Sequence, residues 1–485
     1  MHLGCRVERE SCELRGGSLC RGRPGCRCGA RRVGSGRVVA RGSHRPWIQT
    51  GAVRRVSFVL EVFDAPINCK VAVPGSKSIA NRALVCAALA GGGGSVTNVP
   101  DGDDSAAMVL GLRALGVDVV GVGDGEFRFD SALDMHSTRF VRVDAGLAGT
   151  TSRFLSALVA LRAGATIIDG GAALRGRPMA DLHDALTALG ARVNPIATAG
   201  HLPVEVSAGA VRGGEIEIPG GVSSQFATAL ALIAPYLRGG LKLVVAGERV
   251  SDSYLEMTVE VMRDFGVDAA INDSAKGRVL TVPEGRYVAR HYAVEPDASS
   301  ASYPMALAAV CGGSVTIPNL TADSLQGDVA FADILEAMGC RVERGPTSMS
   351  VHRDPGHPLH GIDIDMVDVS DLVPTVAVVS VFAAEGSRIR GVGFIRAKES
   401  DRLGDLSREL SKTGASVVET EDGLIIQPTV LRGAHLETHH DHRLAMSFGV
   451  LAGRIAGISI DDPSVVSKSW PGFWSVREHM RTAGR

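Results

Sequence analysis

The sequence contains no hydrophobic run that approaches the roughly 20 residues needed to cross a bilayer as a helix. Its hydrophobic content of 45% and charged content of 21% are typical of a globular protein. We therefore expect a soluble protein without a membrane partner. With 485 residues, the chain has room for two or more domains with sizeable cores.

Lysine is absent from the first 55 residues, which hold 13 arginines against 3 acidic residues. This segment therefore carries +10, whereas the rest of the chain carries −12. It also contains ten glycines and no sustained apolar periodicity, a composition typical of disorder. We predict that residues 1–55 form a disordered extension rich in Arg, Gly and Cys.

The same segment lacks the features of a targeting or metal-binding sequence. It has no apolar stretch of the roughly 7–15 residues found in secretory signals, and it is not as serine-rich as organelle transit peptides. Five of the nine cysteines lie there without a paired C-x-x-C spacing, which argues against a zinc site. An RNA-binding tail is an alternative, but an extension without function is favoured. These cysteines are Cys5, Cys12, Cys20, Cys26 and Cys28.

The other four cysteines occur singly in apolar surroundings. Such residues are typical of the reduced core of a cytosolic protein, because disulfides are rare in that compartment. We therefore expect a cytoplasmic protein. The four are Cys69, Cys86, Cys311 and Cys340.

A sequence pattern recurs about every 75 residues, in which an amphipathic helix ends in glycine before a short strand. Glycine is favoured there because the residue after a helix often adopts the left-handed conformation. The pattern occurs six times, with steps of 74, 76, 73, 75 and 70 residues. The glycines are Gly116, Gly190, Gly266, Gly339, Gly414 and Gly484.

Another helix begins 39 to 43 residues before each of these glycines, so its start recurs with the same period. These starts are rich in hydroxyl or charged residues and lie at Lys77, Thr150, Ser224, Ser300, Asp371 and His442. Each repeat therefore contains two helices, in the predicted order strand-helix-strand-helix-strand. Six such copies favour two globular halves of three repeats each.

The stretch "PGSKS" places a lysine, Lys77, at the first of these helix starts. A helix N-terminus carries partial positive charge, so adding Lys77 there is unfavourable unless an anion lies close by. The alternative is a serine-capped helix with a solvated lysine. If equivalent helices point the same way in every repeat, their N-termini meet in a cleft that attracts anions. Ser78 and Arg82, spaced i and i+4, share one face of this helix.

Seven motifs resemble the 5-enolpyruvylshikimate-3-phosphate synthase family of enolpyruvyl transferases, in order and spacing. They are "PGSKSIANRALVCAALA", "AGTTSRF", "GRPMADLHDAL", "VSSQFATAL", "DASSASYPMA", "KESDRL" and "DHRLAMSF". The resemblance covers roughly residues 60–480 and implies an α/β fold of two domains, each with three βαβαββ repeats, and an interdomain active site. The expected domains are residues 77–294, and residues 56–76 plus 295–485.

The resemblance also implies the reaction. The enolpyruvyl group of phosphoenolpyruvate is transferred to the 5-hydroxyl of shikimate 3-phosphate by addition and elimination, and phosphate is released. No metal or other cofactor is expected, and neither is a nucleic-acid partner; a monomer is expected. The chemistry requires a base, an acid and dense positive charge to hold two anions together.

Residue by residue, the resemblance assigns proton transfer to Lys77, Asp371 and Glu399. The alternative interpretation of "RAKESDR", without a role in the reaction, is a run of charged residues exposed to solvent. The residues implied for phosphoenolpyruvate are Arg177, Arg402, Arg443 and Lys468, with Gly149, Thr150 and Gln225, and Arg153 as a weaker candidate. Those implied for shikimate 3-phosphate are Ser78, Arg82, Ser223, Ser224, Ser251 and Lys398.

This chain departs from many members at three positions near these motifs. Leu147 stands where asparagine is frequent and Phe154 where proline is frequent, so inhibitor sensitivity does not carry over. Phe394 replaces an asparagine that meets the shikimate moiety, which puts that contact in doubt.

Other functions fit the residues less well. The sister enzyme that acts on UDP-N-acetylglucosamine has a cysteine in the loop before "RP", where this chain has Ala172 and Ala173. A pure phosphate or RNA binder would gain nothing from carboxylates at its charge centre. "THHDHR" at 438–443 raises the possibility of a metal site, but the resemblance places His442 and Arg443 in the anion site. "AGGGGS" lacks the G-K-[ST] ending of a nucleotide loop.

Overall fold

The structure, a computed structural model, describes residues 57–221, 223–247 and 252–483. The predictions for residues 1–55, Ser251 and Gly484 fall outside the described residues. Within the described ranges, every helix is too short or too polar to cross a membrane.

The described residues form helices of 4 to 14 residues. The α-helices are α1 (Lys77–Ala90), α2 (Asp103–Ala114), α3 (Gly149–Val159), α4 (Ala172–Arg175), α5 (Ala180–Ala188), α6 (Ser224–Ile233), α7 (Ser253–Asp264), α8 (Ala298–Cys311), α9 (Phe331–Ala337), α10 (Val373–Ser380), α11 (Arg402–Lys412), α12 (His442–Leu451) and α13 (Phe473–Ala483). Short 3₁₀ helices cover Ala234–Tyr236, Gly327–Ala330, Ser370–Leu372, Gly393–Ala397 and Pro463–Lys468.

The strands are short, with two to six residues each. They are β1 (Phe58–Val59), β2 (Ile67–Lys70), β3 (Gly94–Thr97), β4 (Val119–Gly123), β5 (Glu126–Phe129), β6 (Val141–Asp144), β7 (Thr166–Asp169), β8 (Arg192–Pro195), β9 (Val204–Ser207), β10 (Gly214–Pro219), β11 (Leu241–Ala246), β12 (Ala270–Ser274), β13 (Gly277–Val282), β14 (His291–Ala293), β15 (Gly313–Pro318), β16 (Arg341–Arg344), β17 (Ser348–Arg353), β18 (Asp363–Asp365), β19 (Ser387–Arg390), β20 (Ser416–Glu419), β21 (Leu424–Gln427), β22 (His435–Leu436) and β23 (Ser459–Ile460).

Among the described residues these strands form five four-stranded sheets and one three-stranded sheet. In the order β6-β7-β9-β8, β6 and β7 run parallel because α3 crosses between them, whereas β8 and β9 form an antiparallel hairpin. The sheets β10-β11-β13-β12 and β18-β19-β21-β20 repeat this arrangement. The predicted α/β fold of βαβαββ repeats is confirmed. The order predicted from the sequence pattern alone was one strand short, because two strands follow the second helix.

The first repeat of each half exchanges a strand. β2 precedes α1 in the chain but pairs in parallel with β15, whereas β14 precedes α8 and pairs in parallel with β3. The chain therefore crosses between the halves twice. The two crossings run side by side, with Ser76 N donating to Glu295 O at 2.7 Å and Asp297 N donating to Pro74 O at 2.8 Å.

The buried apolar side chains form two separate cores. One contains residues from Ile79 to Val294, and the other contains Leu60 to Val71 together with Ala298 to Met480. We refer to residues 77–294 as the first lobe and to residues 57–76 with 295–483 as the second lobe. We propose that the lobes are the two domains, with the boundaries expected from the sequence.

The repeat glycines have the conformation that the sequence predicts. The five that the structure describes have φ values between 84° and 96°, where a side chain would strain the backbone. Each follows the second helix of its repeat. They are Gly116, Gly190, Gly266, Gly339 and Gly414.

Candidate active site

A pocket between the lobes collects the N-termini of helices from both. The starts of α1, α3 and α6 come from the first lobe, and the starts of α11 and α12 come from the second. Fifteen of the residues predicted from the sequence line this pocket. They are Lys77, Ser78, Arg82, Gly149, Thr150, Arg153, Arg177, Ser223, Ser224, Gln225, Asp371, Lys398, Glu399, Arg402 and Arg443.

Lys468 lies just behind the lining residues. Its Nζ is 2.9 Å from Asp104 Oδ1 and 4.0 Å from Glu399 Oε1. Ser251 is outside the described residues, so its predicted contact stays a prediction. The described residues of the predicted site, from Lys77 to Lys468, thus come together although they are spread over almost 400 positions of the sequence.

Arg402 is the centre of the charged network in the pocket. Its side chain is only 1% exposed, and its guanidinium contacts three carboxylates. Nε lies 2.7 Å from Asp441 Oδ2, Nη1 lies 2.9 Å from Asp371 Oδ1, and Nη2 lies 2.9 Å from Glu399 Oε2. A single buried fork therefore fixes the relative positions of two predicted proton-transfer residues.

Neighbouring cations favour the ionised form of both carboxyl groups. Burial opposes ionisation of Asp371, but Arg443, Lys398 and Arg402 outweigh it and hold the pKa well below its usual range. Burial likewise opposes ionisation of Glu399, and Arg177 and Arg402 more than offset it, so that its pKa is also well below the usual range. Each group is therefore available as a proton acceptor.

Contacts across the cleft hold the lobes together. Arg177 Nη2 of the first lobe lies 3.1 Å from Glu399 Oε1 of the second, and Tyr254 Oη donates to Asp371 Oδ2 at 3.3 Å. Lys468 Nζ also donates to the carbonyl of Leu147 at 2.8 Å. Although facing helix N-termini should repel each other, the carboxylates placed between them provide the compensating negative charge.

Lys77 points into the pocket from the first turn of α1. Its Nζ lies 3.1 Å from Asp104 Oδ2, a carboxylate whose side chain is only 4% exposed. Burial lowers the pKa of Lys77, but Asp104 more than offsets this and the net shift is upward. Lys77 is therefore a stable ammonium group, able to donate a hydrogen bond or a proton.

Arg82 and Arg153 are buried cations without an ion pair to a carboxylate among the described residues. Arg82 donates to Thr258 Oγ1 at 2.9 Å and to the Ser78 carbonyl at 2.7 Å. Burial lowers the pKa of each arginine to about 10. Because an uncompensated buried charge is costly, both guanidinium groups favour a bound anion.

Six residues of the pocket lining were not assigned from the sequence, namely Asp104, Pro178, Tyr254, Phe394, Ala397 and His442. Asp104 and Tyr254 lie at the starts of α2 and α7, and the polar stretches "DGDDS" and "VSDSY" at these helix starts are the signal that could have found them. His442 was noted only as part of the anion site. Phe394 lines the pocket, with Lys398 Nζ 5.8 Å from the centre of its ring.

Two observations on the described residues bear on the metal and cysteine alternatives. No group of three or more His, Cys, Asp or Glu side chains within the described ranges is arranged to hold a metal ion. In the "THHDHR" segment, His439 Nε2 instead lies 3.0 Å from Glu409 Oε1, and His442 lines the pocket. The described cysteines, all free thiols, lie away from the pocket lining.

The chain is similar to known proteins in both its sequence and its fold. The model of the family described as EPSP synthase (3-phosphoshikimate 1-carboxyvinyltransferase) matches residues 64–476. A 3-phosphoshikimate 1-carboxyvinyltransferase of Trichormus variabilis is 37% identical over 420 residues, covering 86% of this chain and 98% of the relative. Its counterpart in Nostoc punctiforme is 39% identical over 419 residues, covering 86% and 97%. The solved structure of EPSP synthase from Acinetobacter baumannii superposes with a TM-score of 0.73 at 25% identity, covering 87% of this chain and 98% of that one.

Proposed function

Because this chain belongs to the EPSP synthase family, and is therefore a 3-phosphoshikimate 1-carboxyvinyltransferase of the shikimate pathway, we propose that the pocket between the lobes is its active site. The reaction transfers the enolpyruvyl group of phosphoenolpyruvate to the 5-hydroxyl of shikimate 3-phosphate and releases phosphate. The observation that carries the proposal is the Arg402 fork, which contacts both Asp371 and Glu399 in a pocket that also contains several other cations.

Phosphoenolpyruvate is held by the arginines that face the carboxylates. Arg177, Arg402 and Arg443 present planar forks suited to carboxylate and phosphate oxygens, and Lys468 adds a point charge. Gly149 and Thr150 at the start of α3, together with Gln225 and Arg153, complete this half of the pocket. Glu399 pairs with Arg177 and Asp371 pairs with Arg443, so the anion shares cations that already have carboxylate partners.

Shikimate 3-phosphate is held at the first-lobe wall. Ser223 and Ser224 lie at the start of α6, where the helix dipole favours a phosphate and the serine hydroxyls can donate to it. Ser78, Arg82 and Lys398 face the same space, and Ser251 is assigned by resemblance. Arg82 supports this assignment because it is buried and lacks a carboxylate partner among the described residues.

Lys77, Asp371 and Glu399 carry the proton transfers. In the addition step, the oxygen of the 5-hydroxyl bonds to the enol carbon of phosphoenolpyruvate, and a carboxylate accepts the hydroxyl proton. The methylene carbon of phosphoenolpyruvate gains a proton in the same step. Loss of a methyl proton then accompanies departure of phosphate. The pKa shifts favour a protonated Lys77, which has a proton to donate, and unprotonated Asp371 and Glu399, which have none and can accept one.

We further propose that the protein acts in the cytoplasm as a monomer. A single chain supplies all the residues of the pocket, so no second copy is needed to complete it. Neither substrate requires a metal or redox cofactor for this reaction. Nucleic acid and membrane have no place in it.

The test is release of phosphate from phosphoenolpyruvate with and without shikimate 3-phosphate. The full chain should release phosphate only when both substrates are present. Glu399→Gln and Asp371→Asn should each lower kcat about a hundredfold or more, since each removes a positioned acceptor. Normal turnover in both variants would refute the proposed site.

A further inference from the structure

Asp328 is a buried carboxyl group outside the pocket lining. It lies in the Gly327–Ala330 turn before α9, and only 5% of the residue is exposed. Its Oδ2 accepts a hydrogen bond from Ser299 Oγ. Among the described residues it makes no ion pair within 4.0 Å, although Arg443 contributes an attractive charge nearby. A buried carboxyl that lacks an ion pair is costly and calls for an explanation.

Ser299 connects this carboxyl to the active site. The serine lies in the first turn of α8, only 7% exposed, and its Oγ accepts a hydrogen bond from Arg443 Nη2 at 3.4 Å. The same Nη2 lies 2.6 Å from Asp371 Oδ2. Because the hydroxyl has only one hydrogen, donation to Asp328 leaves its lone pairs directed at Arg443.

Several charged and titratable groups surround Asp328. Asp297 at the start of α8, Tyr254 of α7, Asp371 and Arg443 all interact electrostatically with it. Burial, followed by the charge of Asp371, raises the pKa of Asp328 to about 6, despite the opposing effect of Arg443 and of the Ser299 hydrogen bond. The group therefore adds negative charge behind Arg443 near neutral pH without forming a direct ion pair with it.

We propose that Asp328 is a positioning residue for phosphoenolpyruvate binding, acting through the Ser299 hydroxyl on the guanidinium of Arg443. This inference rests on the proposed role of Arg443 in holding phosphoenolpyruvate. Without the Asp328 acceptor, the Ser299 hydroxyl turns freely and can direct its hydrogen at Arg443. The Arg443 guanidinium then shifts towards Asp371 and is no longer oriented to bind phosphoenolpyruvate.

The first arm of the test compares two substitutions of Asp328 in the full chain. Asp328→Ala should raise KM for phosphoenolpyruvate about five- to tenfold, the effect of losing one hydrogen bond within a charged network. Both kcat and KM for shikimate 3-phosphate should change less than about twofold. Asp328→Asn retains an oxygen that accepts from Ser299, and it should restore most of the affinity. Asp333→Ala, which changes an exposed aspartate on the adjacent α9, is the matched control.

The second arm tests the route through Ser299. Ser299→Ala should reproduce the KM increase of Asp328→Ala, and the double variant should be no worse than either single variant, because the two residues act through one contact. Melting curves of all variants report whether they fold. If Asp328→Ala is unfolded, Ser299→Ala and Asp328→Asn still decide the question. Equal increases in KM for both substrates, or additive effects in the double variant, would overturn the proposal.

Arg443→Lys separates this inference from the proposed function. If Arg443→Lys raises KM for phosphoenolpyruvate while Ser299→Ala and Asp328→Ala do not, only the positioning role is wrong. If Arg443→Lys leaves that KM unchanged, the assigned role of Arg443 itself is wrong, and the positioning role falls with it.

Discussion

Lys468 Nζ of the second lobe lies 2.9 Å from Asp104 Oδ1 of the first lobe, and the other oxygen of the same carboxylate lies 3.1 Å from Lys77 Nζ. One carboxylate therefore joins an ammonium from each lobe. The attraction of Lys77 and Lys468 outweighs the burial of Asp104 and lowers its pKa. A lysine proposed as proton donor and one proposed to hold phosphoenolpyruvate thus depend on the same partner.

Replacing this shared carboxylate should impair catalysis. Asp104→Asn keeps the size of the side chain but leaves two ammonium groups to repel each other, so we expect kcat to fall about ten- to a hundredfold. Steady-state rates with both substrates measure the loss. Asp103→Asn is the control, because that neighbour is exposed and its Oδ2 accepts a hydrogen bond from Ser467 Oγ at 2.6 Å instead of pairing with either lysine. Equal effects of the two substitutions would mean that the bridge between the lysines is unimportant.

Lys77→Met should abolish most activity and leave the fold intact. The side chain supplies charge at the proposed reacting centre, whereas the core of the first lobe is built by other residues of α1. We expect kcat to fall about a hundredfold or more. The melting curve of the variant serves as the control for folding. Near-normal turnover with an unaltered melting curve would exclude Lys77 from the proton-transfer set.

Gly149→Ala should weaken binding of phosphoenolpyruvate. A Cβ at this position would lie 2.7 Å from Arg177 Nη1, so the guanidinium must move away from the start of α3. We expect KM for phosphoenolpyruvate to rise about tenfold with little change for shikimate 3-phosphate. Gly176→Ala, at a nearby glycine whose added Cβ would meet its nearest atom at 3.6 Å, should leave both constants unchanged. Unchanged constants in Gly149→Ala would show that Arg177 tolerates displacement.

His183 should make stability depend on pH. It is 5% exposed, neither ring nitrogen has a partner within the described ranges, and burial lowers its pKa to about 4 from an unperturbed value of 6.5. The unfolded chain therefore binds a proton that the folded chain excludes, and the stability associated with neutral His183 is lost as the pH falls from 6.5 towards 4.

The test replaces the imidazole by an apolar group of similar size. His183→Leu should have a melting temperature that falls less than that of the unmodified chain between about pH 7 and pH 4.5. His357→Leu, which changes a histidine with a 74% exposed side chain, should leave the slope unaltered. If both variants retain the original slope, other groups cause the acid sensitivity.

Much of the architecture was predictable from the sequence because it rests on local conformation. The glycines at Gly116, Gly190, Gly266, Gly339 and Gly414 mark backbone positions that side chains disfavour, and such positions are visible without knowledge of the fold. The helix starts are similarly local, since their hydroxyl and charged residues lie within a single turn. The repeat and the convergence of anion-seeking helix ends followed from these two features and from the family resemblance.

The contacts that complete the site required the tertiary structure. Asp104 and Lys468 are 364 residues apart, and Arg402 and Asp441 are 39 apart, so no local pattern pairs them. The strand exchange between β2 and β14 was implied only by resemblance, because a strand of three or four residues has the same sequence pattern whichever sheet it joins. The pKa of a carboxyl such as Asp371 depends on burial and on the charges of Arg443, Lys398 and Arg402, which distant parts of the chain bring close to it. Sequence therefore determined which groups are available, whereas the fold decided their partners, because long-range electrostatic and hydrogen-bond contacts exist only after the lobes have packed together.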